Sequence, residues 1–217
     1  MKKIHQVGGH GYDSNIYLIL DESIALIDTG TGTNFSTIEE KLAALGVRPN
    51  DIDIIVDTHC HYDHTGGNKA FALAAGCQVA IHELEAKVIR GEEPGIAMAE
   101  AFGSKLEPVS SIWEICEGDQ IELGEMVLEV IETPGHTSGS ICLYDNERQA
   151  LFSGDTVFYD GIGRMDLPTG DRSAMGRSLL RLNGFDVMAL FPGHGPSTEN
   201  GARECIEAAL KMISQGI

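Results

Sequence analysis

Residues 58–67 read Thr-His-Cys-His-Tyr-Asp-His-Thr-Gly-Gly, so His59, His61, Asp63 and His64 stand within six residues. Imidazole and carboxylate are donors that zinc, iron and manganese accept. In an extended chain His59 and His61, two apart, point the same way. Asp63 and His64 then fall in the turn that follows, where they can face a second point nearby. A polar surface turn holding histidines is the bland alternative, but an H-x-H-x-D-H spacing rarely recurs without a metal. Three further donors sit in glycine-flanked segments: His136 in Thr133-Pro134-Gly135-His136-Thr137, Asp155 in Ser153-Gly154-Asp155-Thr156, and His194 in Pro192-Gly193-His194-Gly195. Each alone reads as an ordinary loop residue. Together with the first cluster they make seven donors, enough for two metals.

The elements around these residues suit that role. The apolar run Ile52–Val56 predicts a buried strand leading straight into the first cluster, and Gly66–Ala75 predicts the helix after it. Predicted strands Met126–Ile131, Ala150–Ser153 and Val187–Phe191 each end just before one of the later donors, the usual place for site residues in layered α/β folds. Strands are also expected at Ile4–Val7, Asn15–Leu20, Ser23–Ile27, Gln78–Ile81, Gln120–Leu123 and Ser140–Tyr144. A helix over Ser36–Leu45 is marked by the Ser36-x-x-Glu39 capping-box pattern and the stripe Ile38, Leu42, Leu45. Helices are expected near Ser173–Leu182 and at the C-terminal end. Residues 82–110 mix helical material with glycines and a proline; we expect a helix plus a mobile loop, and a lid formed by the 82–118 segment. Trp113 is expected to pack beneath it. Strands followed by helix–strand alternation, twice over, suggest two similar halves with mixed sheets and outer helices. No linker divides the chain, so a single domain over 1–217 is expected.

Lys and Arg number 15 against 33 Asp and Glu, a net charge of −18. A surface this acidic opposes nucleic acid and anionic membranes as partners. No stretch approaches the apolar length of a spanning helix, and the Met1-Lys2-Lys3 start lacks an apolar run after its lysines, so a cytoplasmic protein is expected. The five cysteines form no C-x-x-C pair; each reads as a small buried hydrophobe. His5, His10 and His82 read as surface or loop residues.

The sequence resembles the metallo-β-lactamase-fold superfamily and, within it, the glyoxalase II (hydroxyacylglutathione hydrolase) branch. The resemblance runs from Ser14-Asn15-Ile16-Tyr17-Leu18-Ile19 and Leu26-Ile27-Asp28-Thr29-Gly30 through the His59–His64 cluster to Pro192-Gly193-His194-Gly195-Pro196. It implies a four-layer αββα sandwich. It implies that His59, His61 and His136 bind one divalent metal and that Asp63, His64 and His194 bind a second, with Asp155 bridging them. Asp63 and Asp155 would carry the catalytic roles, Asp63 also orienting the water. Zinc is the expected metal, with iron and manganese as alternatives. Asp28 would brace the metal loop without touching metal; a turn-capping Asp is the equal alternative. The implied activity is hydrolysis of a small-molecule thioester or ester by metal-activated water.

Arg164, in Gly161-Ile162-Gly163-Arg164-Met165-Asp166, matches a position where glyoxalase II enzymes place a basic residue against glutathione. The alternative is an Arg paired with Asp166 or Asp160. Tyr159 would line the pocket or simply pack. Glyoxalase II enzymes also carry a basic C-terminal helical extension, whereas after His194 this sequence offers only Arg203 and Lys211; a smaller thioester, a lactone or another ester is therefore also considered. The rival of another class is a mononuclear iron persulfide dioxygenase of the same fold. The intact Gly193-His194-Gly195 favours the two-metal hydrolase.

Overall fold

The computed structural model describes residues 3–215; the Met1-Lys2 start and the Gly216-Ile217 end lie outside them. The described residues form two compact units, one of residues 3–115 with 123–125, the other of residues 116–122 with 126–215.

The first unit is built on a six-stranded sheet. Its strands are β1 (Ile4–Gln6), β2 (Tyr17–Leu20), β3 (Ile24–Ile27), β4 (Ile54–Val56), β5 (Gln78–His82) and β6 (Ile112–Ile115), paired in that order. The first three run antiparallel, with a tight turn between β2 and β3 and a longer loop between β1 and β2, and β3 to β6 run parallel. Parallel neighbours need crossovers, and helices supply them: α1 (Phe35–Ala44), then α2 (Tyr62–Thr65) and α3 (Asn68–Ala75), then α4 (Glu83–Ile89). Ile38 and Leu42 of α1 and Phe71 of α3 are buried with Leu26, Ile55, Val79 and Ile81 of the sheet. Each such side chain contributes about 1.5–3 kcal/mol by leaving water. The register pairs Ile27 with Val56, so Asp28 and Asp57 emerge side by side at the carboxyl ends of β3 and β4.

In the second unit β7 (Gln120–Glu122), β8 (Val127–Glu132), β9 (Ile141–Asp145) and β10 (Ala150–Gly154) form an antiparallel meander. A small separate hairpin, β11 (Val157–Phe158) with β12 (Gly161–Ile162), leads on to α5 (Arg172–Leu182). Strand β13 (Ala189–Pro192) then joins the sheet parallel to β10, and α6 (Ala202–Gln215) ends the described chain. Met175, Leu179 and Leu182 of α5 pack with Ile206 and Ala209 of α6 and with Ile131, Leu151 and Leu190 of the sheet.

Several local expectations are corrected. Helix α1 starts one residue before Ser36, with Asn34 at its N-cap and no side-chain cap bond, so the Ser36–Glu39 capping box does not form. The helix expected at Gly66–Ala75 forms as α3 from Asn68, and a separate one-turn helix, α2, precedes it inside the histidine motif. Strand β6 and the β11–β12 hairpin went unread: both are short, and β6 is a half-exposed sheet edge without a continuous apolar run. Trp113 lies on that edge, 36% exposed, rather than beneath a lid. His82 is buried at the end of β5, where its Nδ1 accepts from the Leu84 N–H at 3.2 Å. Cys60, Cys77, Cys142 and Cys205 are buried, but Cys116 is exposed, with Sγ 3.5 Å from Asp119 Oδ2.

Burial pushes the Cys142 thiol up to about 11 and raises Cys60, Cys77 and Cys205 as well. A thiolate-selective reagent at pH 8 is therefore expected to titrate one thiol per native chain rapidly. A Cys116→Ser variant should abolish that fast phase; a second fast thiol in the native protein would contradict the burial described.

Candidate metal centre

In the first unit the donors follow β4 directly. His59 lies in a bend and His61 on extended backbone, while the intervening Cys60 turns into the hydrophobic core. His59 Nε2 comes within 3.1 Å of His61 Nδ1. The Nδ1 atoms of His59 and His64 are committed elsewhere. Asp28 takes the Thr58 backbone N–H at 2.8 Å and the Thr58 hydroxyl at 2.9 Å, and it faces His64 Nδ1 at 2.8 Å. A carboxylate only accepts, so His64 donates from Nδ1 and presents the lone pair of Nε2, which lies 3.9 Å from Asp63 Oδ2. The Thr58 oxygen, having given its hydrogen to Asp28, accepts from His59 Nδ1 at 3.2 Å. That again leaves Nε2 as the lone-pair nitrogen. Orientation of imidazole by a buried partner on its other nitrogen is the arrangement metal-binding histidines need.

The loop after β3 holds this motif in place. Asp28 itself sits at φ 58°, a left-handed conformation that Asp tolerates better than most residues. Thr29 donates from its N–H to the His64 carbonyl, with its hydroxyl oxygen 3.0 Å from the same oxygen, and Ser14 N–H donates to the Asp63 carbonyl. Close approach of the two segments depends on Gly67, where a Cβ would lie 2.4 Å from the Thr29 carbonyl oxygen.

The second unit gathers its own donors around Asp155, which follows β10. His136 Nε2 lies 3.4 Å and His194 Nε2 3.7 Å from the same oxygen, Asp155 Oδ2. His136 donates from Nδ1 to the Arg164 carbonyl at 2.7 Å, so its Nε2 also carries the lone pair. The edge of the Phe158 ring meets His194 with centroids 6.0 Å apart. Two imidazole nitrogens against one carboxylate oxygen form a donor set that suits divalent cations.

Of the sequence-predicted residues, His59, His61, Asp63, His64 and Asp28 thus come together in the first unit, and His136, Asp155 and His194 in the second. Asp28 is a buried brace for Thr58 and His64 rather than a turn cap. Arg164 forms a forked pair with Asp166, both contacts at 2.7 Å, which holds the Asp166 carboxyl down to about 2. Tyr159 is 43% exposed on the hairpin turn. Sequence reasoning missed Asp57 and Glu85. Asp57 is wholly buried; desolvation, then the nearby Asp28, raise its carboxyl well above the carboxylate range, and Asn68 Nδ2 donates to it at 2.6 Å. Glu85 Oε2 accepts the Cys60 N–H at 2.6 Å. Their signal was an acid inside or next to an apolar run, which also describes many surface positions.

Comparison with known proteins bears on these donors. Residues 10–194 match the family model described as metallo-beta-lactamase superfamily. The chain belongs to the metallo-beta-lactamase superfamily. All seven candidate donors lie within the matched span. A probable metallo-hydrolase of Methanocaldococcus jannaschii is 40% identical over 198 residues, covering 88% of this chain and 92% of its own. A hydroxyacylglutathione hydrolase of Rhodospirillum rubrum is 35% identical, covering 88% of this chain. An acyl-coenzyme A thioesterase of Bos taurus is also 35% identical, covering 70% of this chain. The chain spans 65% and 60% of the lengths of those last two. A metallo-beta-lactamase family protein from Thermus thermophilus superposes with TM-score 0.83 at 23% identity, over 100% of this chain and 80% of that one. A protein solved in a di-iron-bound form superposes with TM-score 0.76 at 28% identity, over 94% and 95%. The chain has the metallo-β-lactamase fold, an α/β arrangement of mixed sheets and helices. Family and donor chemistry together make a metallo-hydrolase with divalent cations the coarse assignment. Among the described residues no helix is long and apolar enough to cross a membrane.

Replacing Asp28 by Ala strands the Thr58 N–H and the His64 Nδ1–H in a buried setting. The variant is expected to lose about 3 kcal/mol of stability and about 10–100-fold in metal affinity. Denaturant unfolding and elemental analysis after dialysis check both; unchanged values would show that Asp28 braces nothing.

Proposed function

We propose that this chain is a dinuclear metal-dependent hydrolase of thioesters, with the chemistry of hydroxyacylglutathione hydrolases. The observation that carries the reading is the shared Asp155 oxygen, met by both His136 and His194, as a bridging carboxylate requires. Two relatives whose names state an activity, the hydroxyacylglutathione hydrolase and the acyl-coenzyme A thioesterase, both cleave a thioester by name. In this reading His59, His61 and His136 hold one metal, Asp63, His64 and His194 the other, and Asp155 lies between them. Zinc is the proposed metal, with iron and manganese compatible with the same donors. When bound, such a pair lowers the pKa of water and polarises a carbonyl.

The chain's own residues do the remaining work. Asp63, partly open to solvent with its side chain 17% exposed, orients the attacking water by accepting its hydrogen bond. Asp28 and the Arg164 carbonyl keep His64 and His136 as Nε2 donors. The leaving thiolate has a modest pKa, so departure needs little help from a general acid. Arg164 and Tyr159, both exposed, are the residues proposed to meet the thiol carrier; an anionic carrier would compete with Asp166 for the guanidinium. The proposal carries with it a small-molecule substrate, a cytoplasmic setting and no nucleic-acid or membrane partner.

Elemental analysis of protein purified without added metal, beside a panel of acyl-glutathione and acyl-coenzyme A thioesters followed by thiol release, tests this. About two metals per chain and thiol release are expected. Asp155→Ala should fall to about one metal or fewer and lose about 100-fold or more in kcat/KM. A single iron per chain with oxygen uptake on a persulfide, and no thiol release, would replace the hydrolase by a dioxygenase.

A further inference from the structure

The β11–β12 hairpin has a geometry that its sequence did not announce. It leaves Asp155, turns over Tyr159-Asp160, and returns as Gly163-Arg164 against the residue it left. A Cβ at Gly163 would lie 1.8 Å from the Asp155 carbonyl oxygen and 3.1 Å from His136 Nδ1. Gly163 is not in left-handed backbone, so glycine is required there for space alone. The next carbonyl, that of Arg164, takes the His136 Nδ1–H at 2.7 Å. The Arg164–Asp166 fork then braces the bend that follows β12.

We propose that Gly163 is a positioning residue: by letting the hairpin press onto Asp155, it brings the Arg164 carbonyl to His136 and sets that histidine as an Nε2 donor. A carbonyl oxygen can only accept, so contact at this distance selects the Nδ1–H tautomer and turns Nε2 toward Asp155 Oδ2. An alanine at 163 has to displace either the hairpin or the Asp155 main chain. Either movement breaks the carbonyl contact or moves the carboxylate. The inference rests on reading His136 and Asp155 as metal donors, but its tautomer readout does not depend on that reading.

Gly161 supplies the control. It lies in the same hairpin, is likewise outside left-handed backbone, and a Cβ there meets only Phe158 Cδ2 at 3.9 Å. The experiment compares full-length wild type, Gly163→Ala and Gly161→Ala, with zinc as the probe. Long-range proton–nitrogen spectra report the His136 tautomer, and competition with a chromophoric chelator reports zinc affinity. Wild type and Gly161→Ala are expected to show His136 protonated at Nδ1. Gly163→Ala is expected to lose that signature and to bind zinc at least about tenfold more weakly, while retaining the wild-type circular dichroism spectrum. An Nε2–H tautomer in wild type overturns the proposal, and that result stands even if Gly163→Ala fails to fold. So does a Gly163→Ala variant that keeps both the tautomer and the affinity of Gly161→Ala. Wild type that binds no zinc but shows the Nδ1–H tautomer would refute the metal reading while leaving the hairpin's role intact.

Discussion

The buried carboxylate of Asp28 is the constraint on which the first unit's donor set depends. It accepts hydrogen bonds from the backbone and hydroxyl of Thr58 and from His64, and it lies in a backbone conformation that costs most residues energy. Removing a carboxylate from water is expensive unless its oxygens are satisfied, and here the satisfying groups are those that must be aimed. The same three bonds hold the β4 exit against the β3 exit, set the tautomer of His64 and, through the Thr58 hydroxyl, that of His59. The parallel register of β3 and β4 makes this possible by bringing Asp28 and Thr58 to the same end of the sheet.

The second unit solves the same problem with a neutral group. His136 is oriented by a backbone carbonyl, not a carboxylate, and the carbonyl is delivered by a hairpin of two-residue strands. A carboxylate partner raises the basicity of an imidazole more than a carbonyl does. His64 and His136 are thus unequal donors by construction.

Around the first motif the interior is unusually acidic. Asp28, Asp57 and Glu85 are all buried, and Glu85 caps the Cys60 N–H between the two leading histidines. Asp57 pairs with Asn68, and Asn68 in turn receives the Thr29 hydroxyl, so Asp57, the β3 loop and α3 are joined by hydrogen bonds.

By itself the sequence determined the donor types, their order along the chain and the family. Ligand chemistry is a property of residue type, and the spacing His59-x-His61-x-Asp63-His64 is local. It also made most strands and helices legible, because Ile52–Val56 or Ile206–Ile213 carry their period on their face. Elements without such a pattern escaped it: β6 is a half-exposed edge, and the β11–β12 hairpin is too short to have a period. Only the tertiary structure decided which nitrogen His59, His64 and His136 present, that Asp28 braces rather than caps, and that Cys116 alone is exposed among the cysteines. It also decided that Arg164 pairs with Asp166 while its carbonyl serves His136. Each of these depends on a partner brought close by folding, from two residues away for Asp166 to 36 for Asp28 and His64. Residue type limits what a side chain can bond; packing chooses which bond it makes.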